Sequence, residues 1–79
     1  MPELKLYSNP GCPFCRKVTS FMDSTGIELD IEDPYSSRAA LAAFRDFSGG
    51  TQIPCLSING EPMLESDDII IWMQENILS

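Results

Sequence analysis

The spacing of hydrophobic residues changes repeatedly along the 79-residue chain. Stretches that alternate or run apolar predict strands, and apolar residues at every third or fourth position predict helices. The predicted strands cover residues 4–7, 27–31, 53–58 and 62–64. The predicted helices cover residues 13–24, the segment from Ser36 or Ser37 to Phe47, and residues 66–77.

Turn and capping residues support these boundaries. Pro13 suits the first position of a helix, and Gly26 is well placed to cap its carboxyl end. Asn59-Gly60 is a strong signal for a two-residue hairpin turn. Ser66 is predicted to cap the last helix, because its hydroxyl can accept a hydrogen bond from the first turn.

The element order is therefore β-α-β-α-β-β-α, in a single domain over residues 1–79. The first β-α-β unit crosses over right-handed, so its strands are parallel, and the last two strands form an antiparallel hairpin. This order predicts an α/β fold with a four-stranded mixed sheet, flanked by three helices that cover both faces. The predicted core residues of the last helix are Ile69, Ile70, Ile71, Trp72, Met73 and Ile77.

Composition excludes several classes of function. The chain has 12 acidic and 5 basic residues, a formal charge of -7, and no histidine. It lacks the clustered Lys and Arg that phosphate contacts need, so neither nucleic-acid nor membrane binding is expected. The longest apolar run, residues 69–73, is too short to span a bilayer. The first residues lack a secretory signal pattern, and a cytoplasmic protein is expected.

Cys12 and Cys15 form a C-x-x-C pair, and Cys55 is distant from both. Without histidine or a second such pair, no metal site is expected, and the pair is interpreted as a redox dithiol. Cys12 precedes the first turn of the first helix, where free N–H groups and the helix dipole favour a thiolate. Arg16 and Lys17 add positive charge in the next turn. Cys12 is the predicted nucleophile, and Cys15, about 4.5–5.5 Å away between Cα atoms, resolves its mixed disulfides.

A second candidate feature is Pro54, at the start of an apolar strand. Proline has no N–H group and is accepted at the first residue of a strand. A cis Ile53–Pro54 bond would leave the N–H and C=O groups of Ile53 free to pair with an extended peptide. The residues by themselves favour trans, since only about 5–6% of X–Pro bonds are cis.

The chain resembles glutaredoxins in three segments that occur in the same order. These are residues 7–15 with their Cys-Pro-Phe-Cys motif, Thr51-Gln52-Ile53-Pro54, and Ser66-Asp67-Asp68. The resemblance implies a thioredoxin-like fold, a cis Pro54, and glutathione-dependent reduction of protein disulfides and glutathione mixed disulfides. Glutathione would be a co-substrate, with no tightly bound cofactor. Disulfide-containing or glutathionylated proteins would be the partners of a monomeric enzyme.

The resemblance also assigns roles to individual residues. Cys12 would carry the glutathionyl group, and Ile53, next to Pro54, would hydrogen-bond the cysteinyl backbone of glutathione. Ser66 and Asp67 would hold the γ-glutamyl end. This assignment agrees with physical expectation, because a helix start offers N–H groups to a carboxylate and Asp67 offers an anion to an ammonium group.

Three features depart from the glutaredoxin pattern, and one of them is Leu64-Glu65 in place of the usual Gly-Gly before the acidic pair. Asn9 stands where many glutaredoxins have a lysine for the glycine carboxylate of glutathione, and no basic residue lies next to Gly50. Gln52, Arg16 and Arg38 are the candidates to replace these contacts.

Three features keep more than one interpretation. Glu65-Ser66, with residues 54–56, is also similar to the glutathione-binding domain of bacterial glutathione transferases. Cys55 is a small apolar filler, a partner in regulatory disulfides, or a ligand of an iron–sulfur cluster. Phe14 is either a surface aromatic that contacts substrate or part of the helix core.

These features together predict a small dithiol oxidoreductase of the glutaredoxin type. One alternative is a redoxin recharged by a flavoprotein reductase, suggested by the weak site for the glycine carboxylate. The other is a transferase-like module that binds glutathione or a cluster without redox turnover.

Overall fold

In the computed structural model, which describes residues 3–78, the strands form one four-stranded sheet. They are β1 (Leu4–Tyr7), β2 (Asp30–Glu32), β3 (Cys55–Ile58) and β4 (Glu61–Leu64), in the spatial order β2-β1-β3-β4. β2 runs parallel to β1, whereas β3 is antiparallel to both β1 and β4. The predicted mixed sheet, with its parallel crossover and its hairpin, is confirmed.

Three helices connect and follow these strands. They are α1 (Pro13–Thr25), α2 (Arg38–Ser48) and α3 (Ser66–Asn76). Gly26 ends α1 at a left-handed φ of 79°, and Ser37 caps α2 by accepting a hydrogen bond from the Ala40 N–H at 3.0 Å. The predicted order of seven elements is therefore confirmed.

The alternation of side chains along β1 separates two packed layers. Leu6 is fully buried on one face of the sheet, in a cluster with Val18 of α1 and Ile69 of α3. Tyr7 points to the other face, where its ring lies 4.8 Å from that of Phe44 in α2 between centroids. Helices α1 and α3 thus cover one face and α2 covers the other.

The second strand was predicted over residues 27–31, and this prediction is wrong at its start. The N–H of Ile27 donates to the carbonyl of Met22 at 3.0 Å, so Ile27 completes the end of α1 instead of pairing in the sheet. Its side chain joins the core there. The ladder begins only at Asp30, and Ile31 is 53% exposed on this edge strand.

Three smaller predictions are also corrected. The strand predicted from Ile53 begins at Cys55, because Pro54 has no N–H group for the ladder. Ser66 is the first residue of α3 and not its cap, which is Glu65. Ile71 was assigned to the core but is 49% exposed, whereas Ile69 and Met73 are fully buried.

Within residues 3–78, no helix is long and apolar enough to cross a membrane.

Candidate active site

Cys12 lies at the N-terminus of α1, just beyond the carboxyl end of β1. It is the N-cap residue, and its carbonyl accepts the first helical hydrogen bond from the Arg16 N–H at 3.0 Å. Its own N–H donates to the carbonyl of Asn9 at 3.0 Å, which fixes the loop that precedes the helix. The Cys12 sulfur lies at this helix end and is partly exposed to solvent.

The surroundings of Cys12 favour its thiolate. Desolvation by the protein opposes ionisation, but hydrogen bonds from the Cys15 N–H, the Cys15 thiol and the Phe14 N–H outweigh it and lower the pKa of Cys12. The N–H groups of the first helical turn thus stabilise the negative charge on the sulfur, as expected for a cysteine at a helix start. A lowered pKa is what a nucleophilic cysteine requires, and the catalytic role of Cys12 stays a prediction.

Cys15 is completely buried one turn further along α1. Burial raises the pKa of its thiol, and proximity to the Cys12 sulfur raises it further. The two sulfurs are close enough to share a hydrogen bond, and both thiols are free. The pair therefore combines a partly exposed sulfur whose pKa is lowered with a buried sulfur whose pKa is raised.

The loop before β3 faces Cys12. The Ile53–Pro54 peptide bond is cis, as the resemblance implied. The Cys12 sulfur lies 3.9 Å from the carbonyl oxygen of Ile53, and Pro54 is buried. Cys12 and Ile53, which are 41 positions apart in sequence, are thus brought together by the sheet.

The start of α3 forms the next part of the site. Glu65 has a positive φ of 75°, and its carboxylate accepts a hydrogen bond from the Gln52 amide at 3.1 Å. Ser66 is buried, and the exposed Asp67 forms an ion pair with Lys17 of α1. The Lys17 pair joins α3 to the helix that carries the cysteines, and the Gln52 bond joins α3 to the cis-proline loop.

Phe14 and the candidate basic residues lie on the outside of the molecule. Phe14 is 64% exposed, so it is a surface aromatic and not a member of the helix core. Arg16 and Arg38 are exposed and make no ion pair with any described residue. Gln52 is turned toward Glu65 through its amide.

Cys55 lies on the other face of the sheet from Cys15. It is fully buried and pairs with Tyr7 in the β1–β3 register, so it shares the α2 face with Tyr7. Cys15 belongs to α1, on the opposite face. Burial raises the pKa of Cys55 to about 11. Of the interpretations given to Cys55, this position favours the apolar filler.

Sequence reasoning missed the role of Asn9 within the protein. Its side-chain amide donates to both carboxylate oxygens of Asp33, at 3.1 and 3.2 Å, and its side-chain oxygen accepts from the Gly11 N–H at 2.8 Å. The local signal was present, since Asn before Pro10-Gly11 is a typical side-chain-stabilised turn. The partner Asp33 could not be found by local pattern, because it lies 24 positions away.

Residues 6–77 match the family model described as the glutathione S-transferase, N-terminal domain. The chain belongs to this family. Among curated relatives, the hybrid peroxiredoxin hyPrx5 of Haemophilus influenzae is 30% identical over 67 residues. That match covers 85% of this transferase-family chain but only 27% of the peroxiredoxin.

Two solved structures have a backbone fold similar to that of this transferase-family chain. A glutathione transferase family member from Pseudomonas fluorescens, with bound glutathione, superposes with a TM-score of 0.78 at 28% identity. The match covers 91% of this chain and 37% of that one. A buckwheat glutaredoxin–glutathione complex has a TM-score of 0.71 at 19% identity, covering 98% and 73%. The predicted thioredoxin-like fold is confirmed.

Proposed function

We propose that this chain is a glutathione-dependent dithiol oxidoreductase that reduces protein disulfides and glutathione mixed disulfides. The observation that carries the proposal is the arrangement of Cys12, Cys15 and Ile53. A partly exposed sulfur with a lowered pKa stands at a helix start, a buried thiol lies one turn away, and a cis-proline loop faces the exposed sulfur. Structural cysteines need none of these features.

In the proposed reaction, the Cys12 thiolate attacks the glutathione sulfur of a mixed disulfide. The new Cys12–glutathione disulfide forms as the old bond breaks, and the partner leaves as a thiolate that takes a proton from water. A second glutathione thiolate then attacks the bound glutathionyl sulfur. This releases oxidised glutathione and restores the Cys12 thiolate, whose low pKa makes it a good leaving group.

With a protein disulfide, Cys15 takes part. The Cys12 thiolate first forms a mixed disulfide with the substrate and releases one substrate thiolate. Cys15, once deprotonated, attacks the Cys12 sulfur, releases the second substrate thiolate and leaves a Cys12–Cys15 disulfide. Two glutathione molecules then reduce that disulfide and become oxidised glutathione.

We propose that glutathione lies across the three segments that meet at Cys12. The free backbone groups of Ile53 would pair with its cysteinyl unit, beside Pro54. Ser66 and Asp67 at the start of α3 would hold the γ-glutamyl end, with Lys17 released from Asp67. The exposed Phe14 would cover the ligand, and Gln52 would reach its glycine end. The glutathione complexes of a transferase and a glutaredoxin with this fold support the proposal.

The test is turnover of a glutathionylated peptide, with glutathione and glutathione reductase as the only source of electrons. Wild-type, Cys12→Ser and Cys15→Ser chains are compared. We expect Cys12→Ser to abolish turnover and Cys15→Ser to retain it, because only Cys12 forms the mixed disulfide in this reaction. A wild-type chain without turnover would refute the proposal.

A second candidate is a transferase-like module that binds glutathione without redox turnover. The family match favours it, as does the Glu65-Ser66 pair, in which Glu65 has a positive φ. Calorimetric binding of glutathione to a chain that shows no turnover would support it. Turnover with a flavoprotein reductase, and none with glutathione, would instead support a redoxin with a different electron donor.

A further inference from the structure

We propose that Asn9, Asp33 and Tyr35 form a positioning relay, which sets the gap between Cys12 and the cis-proline loop across which a mixed disulfide is held. This inference rests on the proposed function for its catalytic consequence. The relay itself is a set of hydrogen bonds between three loops that are distant in sequence.

The first half of the relay fixes the loop that carries Cys12. The side-chain oxygen of Asn9 accepts from the Gly11 N–H at 2.8 Å, and its main-chain oxygen accepts from the Cys12 N–H at 3.0 Å. The Asn9 amide nitrogen donates to both oxygens of Asp33. One side chain thus anchors the nucleophile loop to the segment after β2.

The second half fixes the loop that faces the nucleophile. The same Asp33 carboxylate accepts from the Tyr35 N–H at 2.8 Å. The Tyr35 hydroxyl then donates to the carbonyl of Thr51 at 2.7 Å. Thr51 lies two residues before Ile53, whose carbonyl oxygen is 3.9 Å from the Cys12 sulfur. The path therefore begins at the Cys12 N–H and ends at the Ile53 carbonyl, which lies next to the Cys12 sulfur.

The relay also explains why Asn9 differs from the lysine expected at its position. All the polar atoms of the Asn9 side chain are used inside the protein, by Asp33 and by Gly11. A lysine could replace the contact with Asp33 as an ion pair, but it has no acceptor for the Gly11 N–H. Asn9 therefore holds the loop before Cys12 in place, and no polar atom of its side chain is left to bind the ligand.

Tyr35→Phe is the sharpest test, because it removes only the hydroxyl that reaches Thr51. We expect KM for a glutathionylated peptide to rise about fivefold, the factor that corresponds to one hydrogen bond of about 1 kcal/mol. The midpoint of Cys12 alkylation against pH should not change, because the hydrogen bonds that lower the pKa of Cys12 come from Phe14 and Cys15 of α1. Ser24→Ala, which loses a hydroxyl bonded to the Phe21 carbonyl in the last turn of α1, is the matched control.

A double variant tests whether the contacts act as one path. Asn9→Ala should raise KM at least as much as Tyr35→Phe, and the double variant should be no worse than Asn9→Ala alone. Independent structural damage would instead multiply the two effects. Asn76→Ala, which loses an exposed amide bond to the Trp72 carbonyl at the end of α3, controls for the loss of an asparagine.

A readout without catalysis separates the relay from the proposed function. In Asn9→Ala, the backbone amide resonances of Gln52 and Ile53 should shift, and in Tyr35→Phe those of Gly11 and Cys12 should shift. Resonances that stay unchanged across the relay would overturn it, whatever the activity. If these shifts appear in a protein that never turns over glutathionylated peptide, the relay stands and the proposed function fails.

Discussion

At the scale of single residues, the three cysteines differ because the fold places each in a different environment. Cys12 receives N–H groups at a helix start, and its pKa is lowered. Cys15 and Cys55 are both fully buried, and their pKa values are raised. One chain of 79 residues thus contains one thiol with a lowered pKa and two buried thiols with raised pKa values.

The lowered pKa of Cys12 predicts its alkylation profile. The thiolate is the reacting form, so the rate of iodoacetamide modification should reach its midpoint below pH 9.0, the ordinary cysteine value. Mass spectrometry after partial modification should place the label on Cys12. The Cys12→Ser chain should lose the fast phase, and a wild-type midpoint at or above pH 9.0 would contradict the assignment.

The raised pKa of Cys55 predicts a loss of stability in alkali. Between pH 9.0 and about 11, the thiol ionises in the unfolded chain but stays neutral in the folded one. The free energy of unfolding should therefore fall over this range, and it should fall less in Cys55→Ala. Urea titrations of both chains at several pH values measure the difference. Turnover by Cys55→Ala at pH 7 should equal that of wild type.

At the scale of elements, short segments with unusual backbone geometry define where helices and strands stop. Gly26 closes α1 at a φ of 79°, and Asn59 and Gly60 turn the β3–β4 hairpin at φ values of 53° and 85°. Glu65 starts α3 from a φ of 75°. Each lies in the left-handed region, where a side chain normally costs energy.

Two glycines form a matched pair to test this. A Cβ atom would meet no atom within 4 Å at either Gly26 or Gly50, but only Gly26 has a positive φ. Gly26→Ala should therefore lower the free energy of unfolding by about 1–2 kcal/mol through backbone strain. Gly50→Ala should not lower it. Equal losses in thermal unfolding would show that strain at the end of α1 is not the cause.

The same elements show what could be predicted from sequence. Pro13, Gly26 and Asn59-Gly60 act through their own backbones, so their consequences were predictable from local chemistry. Ile27 misled the prediction, because a hydrophobic residue after a helix cap packs into the core without joining a strand.

The remaining gaps concern residues whose partners are distant in sequence. The contacts of Asn9 with Asp33 and of Lys17 with Asp67 join positions that only the folded sheet and helices bring together. The exposure of Ile71 likewise depends on which side of α3 faces α1. The cysteine pair was predictable because its spacing and its place at the helix start are local.

At the scale of the whole molecule, charge sets the range of suitable partners. The formal charge is -7, and two of the five basic side chains, Lys5 and Lys17, are already paired with Glu32 and Asp67. The electrostatic potential around the molecule is therefore negative at distances longer than these two ion pairs. This potential repels anionic partners.

This potential predicts a dependence on salt. At low ionic strength, kcat/KM should be higher for a glutathionylated peptide with net positive charge than for one of the same length with net negative charge. The ratio should approach one as salt is added, because screening shortens the range of the interaction. Steady-state assays over a salt series measure it, and a ratio that does not change with salt would exclude long-range charge as the cause.

The position of Cys55 behind the sheet has a consequence for how many electrons the protein exchanges. In the proposed reaction, oxidation within one chain joins Cys12 to Cys15, whereas Cys55 is fully buried on the other face of the sheet from Cys15. We therefore expect each molecule to store one pair of reducing equivalents, and we expect reoxidation of the folded, reduced protein to return a single disulfide isomer. On that expectation, a chain with three thiols has the stoichiometry and the fidelity of a chain with two.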